Sequence, residues 1–301
     1  MQARRVLIMQ NGTVEGYRLS PQQKHLWLHE SAAGSRRVQC VVRIKGRVDP
    51  SALKAAWAEL IRRHEILRTA FVSVPGVELP LQVIREQVQA ELLVGAVGVW
   101  EELWRQPFDY ESGEVVRARL VEVGEAEQEL VVSVSGMCAD SQTLKNLIVE
   151  LGRGYEAELT DEPVQYADYS EWQNDLLESE DEEEGRTFWC GRAEHELVRL
   201  PWEEGETGVA QIEVGEELLE QLEARAAAQQ VSLRVLLLGC WQVLLRRLSG
   251  TSDLTVLVAF DGRKYEGLEH ALGLFSKYLP ITARVENTSL VKNILIHTNE
   301  A

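Results

Sequence analysis

Hydrophobic positions change their period along this chain, and each change marks an element. Val38 to Ile44 is β-branched and predicts a strand. Asp49-Pro50-Ser51 follows, an N-cap residue with proline at the first helical position. Leu53, Ala56, Trp57, Leu60 and Ile61 then recur at i, i+3, i+4, i+7 and i+8, which predicts a helix with one apolar stripe. Leu67 to Val74 predicts a return to strand. Val115 to Val123 and Glu129 to Val134 predict two more strands joined by the polar turn GEAEQ. Asp140 to Glu158 predicts a helix with Leu144, Leu147, Ile148 and Leu151 on one face.

The pattern continues past a break. Glu178 to Glu184 reads ESEDEEE, a like-charge block expected to be a solvated face or tether. Beyond it, Val209 to Val214 predicts a short strand and Glu216 to Gln229 a helix rich in alanine, leucine and glutamate. Val231 to Leu248 is apolar on most sides, so it is expected to be a buried helix. Leu254 to Phe260 fits a central strand and Leu279 to Val285 an alternating one. Strands and helices mix without regular βαβ alternation. The expected fold is therefore an open mixed sheet with helices rather than a doubly wound one.

Composition narrows the function. Of 301 residues, 45% are hydrophobic and 26% charged, which excludes a disordered chain. No apolar run reaches the roughly 20 residues of a membrane helix. The longest is interrupted by Arg234, Gln242, Arg246 and Arg247. The N-terminal apolar stretch is too short for a secretory signal. A net charge of −17 repels a phosphate backbone and argues against nucleic acid and anionic membrane as partners. Cys40, Cys138, Cys190 and Cys240 lack CxxC spacing and sit among apolar residues, so four reduced, mostly buried thiols of a cytoplasmic protein are expected. His25 and His29 have helical metal-ligand spacing but no third ligand is visible, so no metal site is expected. Phosphate-loop and serine-hydrolase signatures are absent. Trp57, Trp100, Trp104, Trp172, Trp189 and Trp241 lie on amphipathic patterns and are expected in the core or at a lobe interface.

Four stretches, in order, carry a more specific signal. They are Leu19-Ser20-Pro21-Gln22-Gln23 with Leu26-Trp27; Arg63-His64-Glu65-Ile66-Leu67-Arg68-Thr69-Ala70-Phe71; Tyr166-Ala167-Asp168-Tyr169-Ser170-Glu171-Trp172-Gln173; and Leu272-Gly273-Leu274-Phe275 with Leu279-Pro280. Together they resemble the first, second, fourth and fifth motifs of the condensation domains of nonribosomal peptide synthetases. Those domains share the chloramphenicol acetyltransferase fold. The resemblance implies an α/β (mixed α+β) chain of two lobes, each an open mixed sheet with helices. Residues 15–177 would form a complete N-terminal lobe, 178–195 an acidic linker and helix, and 196–301 a partial C-terminal lobe. It also implies a tunnel. Two carrier proteins present thioesters on phosphopantetheine arms from its opposite mouths, and the acceptor amine attacks the donor thioester to form an amide. No other cofactor is implied, and the partners are carrier domains or other synthetase modules.

The catalytic signature of such domains is HHxxxDG, after a strand. Its second histidine deprotonates or positions the amine, and its aspartate pairs with an arginine of the fifth motif. Here the matching stretch is Ser135-Gly136-Met137-Cys138-Ala139-Asp140-Ser141. Ser135 and Gly136 stand where the histidines would be, and only Asp140 remains. Thr282 occupies the arginine position, and Arg284, two residues along the same strand face, is the candidate substitute. Losing a positioned base costs about 10²–10⁴ in rate. Positioning of tethered substrates can still supply catalysis. Cys138 is a candidate nucleophile only with a positive neighbour, and a buried small residue is the expected reading. By the resemblance His64 is structural, capping a helix-to-strand turn, and Arg63, Arg68, Tyr166, Trp172 and Gly273 are motif or tunnel positions alongside Cys138 and Ser141. Arg62, Arg63, Arg246 and Arg247 are candidate docking cations.

The chain ends soon after the fifth motif, so either the gene is truncated or a second chain completes the C-terminal lobe. The expected function is a condensation-like domain with impaired or lost amide formation, acting with carrier proteins as a platform. The alternatives are an active acyltransferase working by substrate positioning, with the second lobe supplied in trans, and a decayed fragment.

Overall fold

A computed structural model describes residues 5–9, 12–29, 36–95, 105–124, 127–179, 182–191 and 211–285 of the chain. The chain opens with the antiparallel pair β1 (Arg5–Met9) and β2 (Gly12–Gly16), followed by α1 (Pro21–His29). Next come β3 (Arg37–Lys45), α2 (Pro50–Arg63), a 3₁₀ turn (Glu65–Arg68), β4 (Thr69–Val72), β5 (Leu81–Ile84) and β6 (Leu92–Gly95). The hairpin strands β7 (Val116–Gly124) and β8 (Glu127–Ser135) lead into α3 (Ser141–Glu156) and α4 (Tyr166–Leu177).

Four strands form the principal sheet in the order β3-β8-β7-β6. β3 pairs antiparallel with β8 from Arg37↔Ser135 to Lys45↔Glu127, and β7 pairs antiparallel with β8. β6 runs parallel to β7, so the sheet is mixed and open, as the pattern predicts. A smaller antiparallel pair, β4 with β5, stands apart. Helix α2 forms where its sequence signals it. The Asp49 carboxylate accepts from Ser51 N at 2.8 Å, Pro50 needs no partner at the first position, and the whole stripe Leu53, Ala56, Trp57, Leu60, Ile61 is buried. Each large member of such a stripe contributes about 1.5–3 kcal/mol by leaving water. Trp57 satisfies its one polar atom by donating Nε1–H to Ala90 O at 2.6 Å.

By compactness the chain divides into two units. One comprises Met1–Arg186 with Asp261–Lys277, and the other Thr187–Phe260 with Tyr278–Ala301. Residues 261–277, which the sequence reading places with the second portion, therefore cluster with the first. The acidic run passes into α5 (Glu182–Cys190), on which Phe188 and Trp189 are exposed.

The second unit carries α6 (Glu216–Ala228), α7 (Leu233–Ser249), β9 (Asp253–Phe260) and most of β10 (Lys277–Arg284), with β9 and β10 paired in a two-stranded sheet. Three expectations change here. Residues 211–215 form no strand, and Ile212 is 86% exposed; 209 and 210 lie outside the described residues. Helix α7 is capped by Ser232 and by Gly250 at φ 77°. Yet it buries only Leu236, Gly239 and Gln242 and exposes Leu237, Trp241, Leu244 and Leu248. β9 buries only Leu254 instead of running through the middle of a sheet, and Leu257 is exposed. An all-round apolar helix is buried only when layers pack on every side, and the described residues of this unit supply few layers. The same shortfall leaves Trp241 exposed; Trp172 and Trp189 are also open, whereas Trp57 is core. Trp100 and Trp104 lie outside the described residues. Cys138 is buried and Cys40 half-buried, but Cys190 and Cys240 are exposed, which corrects the expectation of mostly buried thiols.

Candidate functional site: the loop after β8

β8 ends at Ser135, whose backbone N–H still donates to Val115 O at 2.8 Å. Gly136 N–H donates to Arg36 O at 2.9 Å, which prolongs the sheet by one bond. A tight turn follows, closed by Cys138 N–H to Ser135 O at 2.9 Å, and Asp140 then caps α3. The loop is held from below: Gln23 donates Nε2–H to Met137 O at 2.9 Å. Sequence order alone placed this loop between strand and helix, and the structure keeps it there.

Each side chain of the loop has a definite fate. Ser135 is fully buried; its hydroxyl donates to Tyr110 Oη at 3.2 Å and accepts from Met137 N–H at 3.2 Å. Gly136 has no left-handed φ, so its backbone does not require glycine. A Cβ there would meet Arg36 Cβ at 3.3 Å, a contact that a slight shift relieves. Cys138 is fully buried, and burial pushes its thiol well above the ordinary range, which makes it a packing residue and not a thiolate nucleophile. Ser141, the first residue of α3, is exposed.

Asp140 is the most heavily bonded group of the site. Its Oδ1 accepts from Thr143 N–H at 2.8 Å and Arg263 Nη2–H at 2.9 Å. Its Oδ2 accepts from Arg263 Nη1–H at 3.0 Å, Phe275 N–H at 3.0 Å, Ser276 N–H at 2.9 Å and Ser276 Oγ–H at 3.1 Å. Burial alone would raise its pKa, but the hydrogen bonds and charge of Arg263, with the bonds from Thr143, outweigh burial and hold the carboxyl below the usual range. Such a carboxylate has its lone pairs committed, so it organises structure and is a poor proton acceptor.

The guanidinium on Asp140 is therefore that of Arg263, not Arg284. Arg284 is exposed on β10, and Thr282, at the expected arginine position, pairs its hydroxyl with Thr255 across the β9–β10 sheet at 3.2 Å. Arg263 belongs to the connection 261–276 between those strands. Its side chain also reaches Asp261 Oδ1, Thr143 Oγ at 2.8 Å and the face of Phe275 at 4.3 Å. Sequence reasoning missed it. The available signal was the dipeptide Gly262-Arg263 directly after a strand. Gly262 sits at φ 78°, and a Cβ there would lie 2.0 Å from Phe275 O.

The other motif residues support this connection. Tyr166 is buried; its hydroxyl donates to Leu274 O at 2.7 Å and lies 2.7 Å from Ser20 Oγ, and burial raises it well above the ordinary range. Gly273 lies flat on the Tyr166 ring at φ 151°, where a Cβ would fall 2.0 Å from Tyr166 Cδ2. Thr143 Oγ–H donates to Gly273 O at 2.6 Å. Tyr169 and Tyr166 pack on Phe275 with centroids 4.6 and 5.1 Å away, and burial pushes the Tyr169 hydroxyl up to about 12. Trp172, half open, meets Tyr265 edge-on at 4.8 Å.

The second motif is built away from the loop. His64 ends α2, with its backbone N–H on Leu60 O, while its Nε2 lies 2.8 Å from Glu150 Oε2 on α3. Burial would raise Glu150, but bonds and charge from His64 and then Arg63 hold it low. Arg63 is spent on Glu150, Leu159 O and Asp161 O, so it cannot be an open docking cation, and Arg62 is clamped bidentately by Glu59. Arg68 donates to Arg85 O at 2.8 Å. His25 and His29 stack at 4.4 Å, and no group of three metal-ligating side chains occurs among the described residues.

Mixed open sheet, capped helix after β8 and the docked 261–276 connection define a chloramphenicol acetyltransferase-like lobe. The condensation domain family model matches residues 14–300, and the chain belongs to that family. Among curated relatives, Bacitracin synthase 2 of Bacillus licheniformis is 29% identical over 288 residues, covering 89% of this chain and 11% of the synthase. Gramicidin S synthase 2 of Aneurinibacillus migulanus is 26% identical, covering 88% of this chain and 6% of that protein. The chain thus spans about a tenth or less of these relatives. Among solved structures, the condensation domain of the Monacolin K polyketide synthase MokA superposes with a TM-score of 0.84 at 22% identity, covering 94% of this chain and 71% of that one. The X-domain in its complex with OxyB from teicoplanin biosynthesis gives 0.77 at 21% identity, covering all of this chain and 71% of that one. No single described helix is long and apolar enough to cross a membrane.

Proposed function

We propose that this chain is a condensation domain of a peptide-synthetase assembly line whose amide-forming activity is impaired, and that it works in the cytoplasm with carrier proteins as a docking platform. One observation carries the reading. At the end of β8 the position for a catalytic imidazole is Gly136, while the neighbouring Ser135 hydroxyl and the Asp140 carboxylate are both consumed by internal hydrogen bonds. The loop keeps its scaffold and lacks its base. The X-domain structure, solved with OxyB, supports a platform role, since it is a domain of this fold holding another protein. The test is reconstitution with a loaded donor and a loaded acceptor carrier protein. Carrier binding with product no faster than about a hundredth of that from an intact condensation domain is expected. Product at the intact rate would sink the proposal.

A second reading is favoured by the preserved Asp140–Arg263 network. In it, the chain catalyses by positioning alone, and product should form with both loaded carriers and vanish in Asp140→Ala.

A further inference from the structure

Asp140 gathers both ends of the 261–276 connection onto one carboxylate, Arg263 by its guanidinium and Phe275 and Ser276 by their N–H groups. The residue after each end is a lysine, Lys264 after Arg263 and Lys277 after Ser276. The clamp therefore sets two ammonium groups near one another beside the loop after β8, and the charge of Lys264 reaches Lys277. Both belong to the first unit. Lys264 is exposed, whereas Lys277 is half-buried at the start of β10. The chain carries an excess of acids, and Arg18, Arg62, Arg63 and Arg117 are each bonded to one. The two lysines are not: among the described residues neither makes a hydrogen bond or ion pair. The carboxylates of Asp140 and Asp261 are both taken up by Arg263. Burial first, and then the like charge of Lys264, hold the Lys277 amine below its ordinary range. A lysine that is desolvated and set beside another cation is an activated nucleophile, because more of it is the free amine.

We infer that Lys277 is an acyl-accepting amine, activated by its neighbour Lys264, and that its substrates are small thioesters. The thioester class rests on the condensation-domain reading; the placement of the amine does not. The Lys277 nitrogen attacks the thioester carbonyl, the C–N bond of an amide forms and the C–S bond breaks. The sulfur leaves as a thiolate and takes up the proton that the nitrogen loses. No other reactant is needed. One acyl group is taken per chain, so the step is a single modification and not turnover.

The test is incubation of the full chain at pH 7 with S-acetyl-N-acetylcysteamine, with acetylation of each lysine followed by peptide mass spectrometry. Lys277 should be acetylated severalfold faster than Lys24, Lys54 and Lys145, which are all exposed. Access alone would give the opposite order, since Lys277 is the half-buried one. Lys264→Gln, on the surface, removes the like charge and should slow Lys277 toward the rate of the exposed lysines while leaving theirs unchanged. In a denaturant that unfolds the chain the preference should vanish. The small thioester needs no carrier protein, so failure here is distinct from failure of the carrier assay. Lys277 no faster than the three exposed lysines, an unchanged rate in folded Lys264→Gln, or a preference that persists in denaturant overturns the inference.

Discussion

Replacing Arg263 by methionine tests the central contact of the molecule. The Arg263 side chain is 1% exposed and the Asp140 side chain 4%. Methionine keeps much of the packing on Phe275 but removes both bonds to Asp140, leaving a buried carboxylate held only by backbone N–H groups and hydroxyls. Breaking one partner of a buried pair costs about 3–5 kcal/mol. At about 2–4 °C per kcal/mol for a unit of this size, the melting temperature should fall by roughly 6–20 °C at pH 7. The pH dependence gives a second readout. Asp140 is held below its ordinary value of 3.8 in the folded chain. Stability from that depression is therefore fully present above about pH 4 and is lost as pH falls through the lower folded value. In Arg263→Met the depression is gone, and burial raises the carboxyl instead. Protonation favours the folded variant from its raised carboxyl value downward, so the gap between parent and variant should begin to narrow above about pH 4 and go on narrowing as pH falls through the parent's lower folded value. Calorimetric melting from pH 7 to pH 3 measures both effects, and native-state hydrogen exchange at Phe275 and Ser276 N–H reports local release of the connection. A loss under about 1 kcal/mol at pH 7, or a gap that does not narrow in acid, would refute the assignment of Arg263 as the group that holds Asp140.

Three further outcomes follow from the same geometry. Gly136→His should fold with a melting temperature near the parent's, since the backbone there is ordinary and the Cβ contact is only slightly tight; in the carrier-protein assay it should raise amide formation by about 10²–10⁴. Gly273→Ala should destabilise the first unit severely, because its Cβ would fall on the Tyr166 ring at a φ that side chains rarely adopt, and thermal melting will show it. A disulfide reagent added to the native chain should modify Cys190 and Cys240 rapidly, Cys40 slowly and Cys138 only on unfolding, read as the time course of released chromophore.

Much of this protein is written in local spacing. The stripe on α2, its cap Asp49 and the strand–loop–helix order around residue 136 all follow from neighbours a few residues apart, because helical period and capping are set within one turn. The absence of an imidazole at Gly136 is equally a fact of sequence. Tertiary structure alone decided what holds Asp140. Arg263 lies 123 residues away, and a carboxylate accepts any guanidinium that the fold brings near, so period and motif pointed to Arg284 instead. The closeness of Gly273 to Tyr166 is likewise a product of packing between distant segments. Helix α7 shows the limit from the other side. An apolar run records what a helix can bury, whereas the layers that pack around it determine how much it does bury.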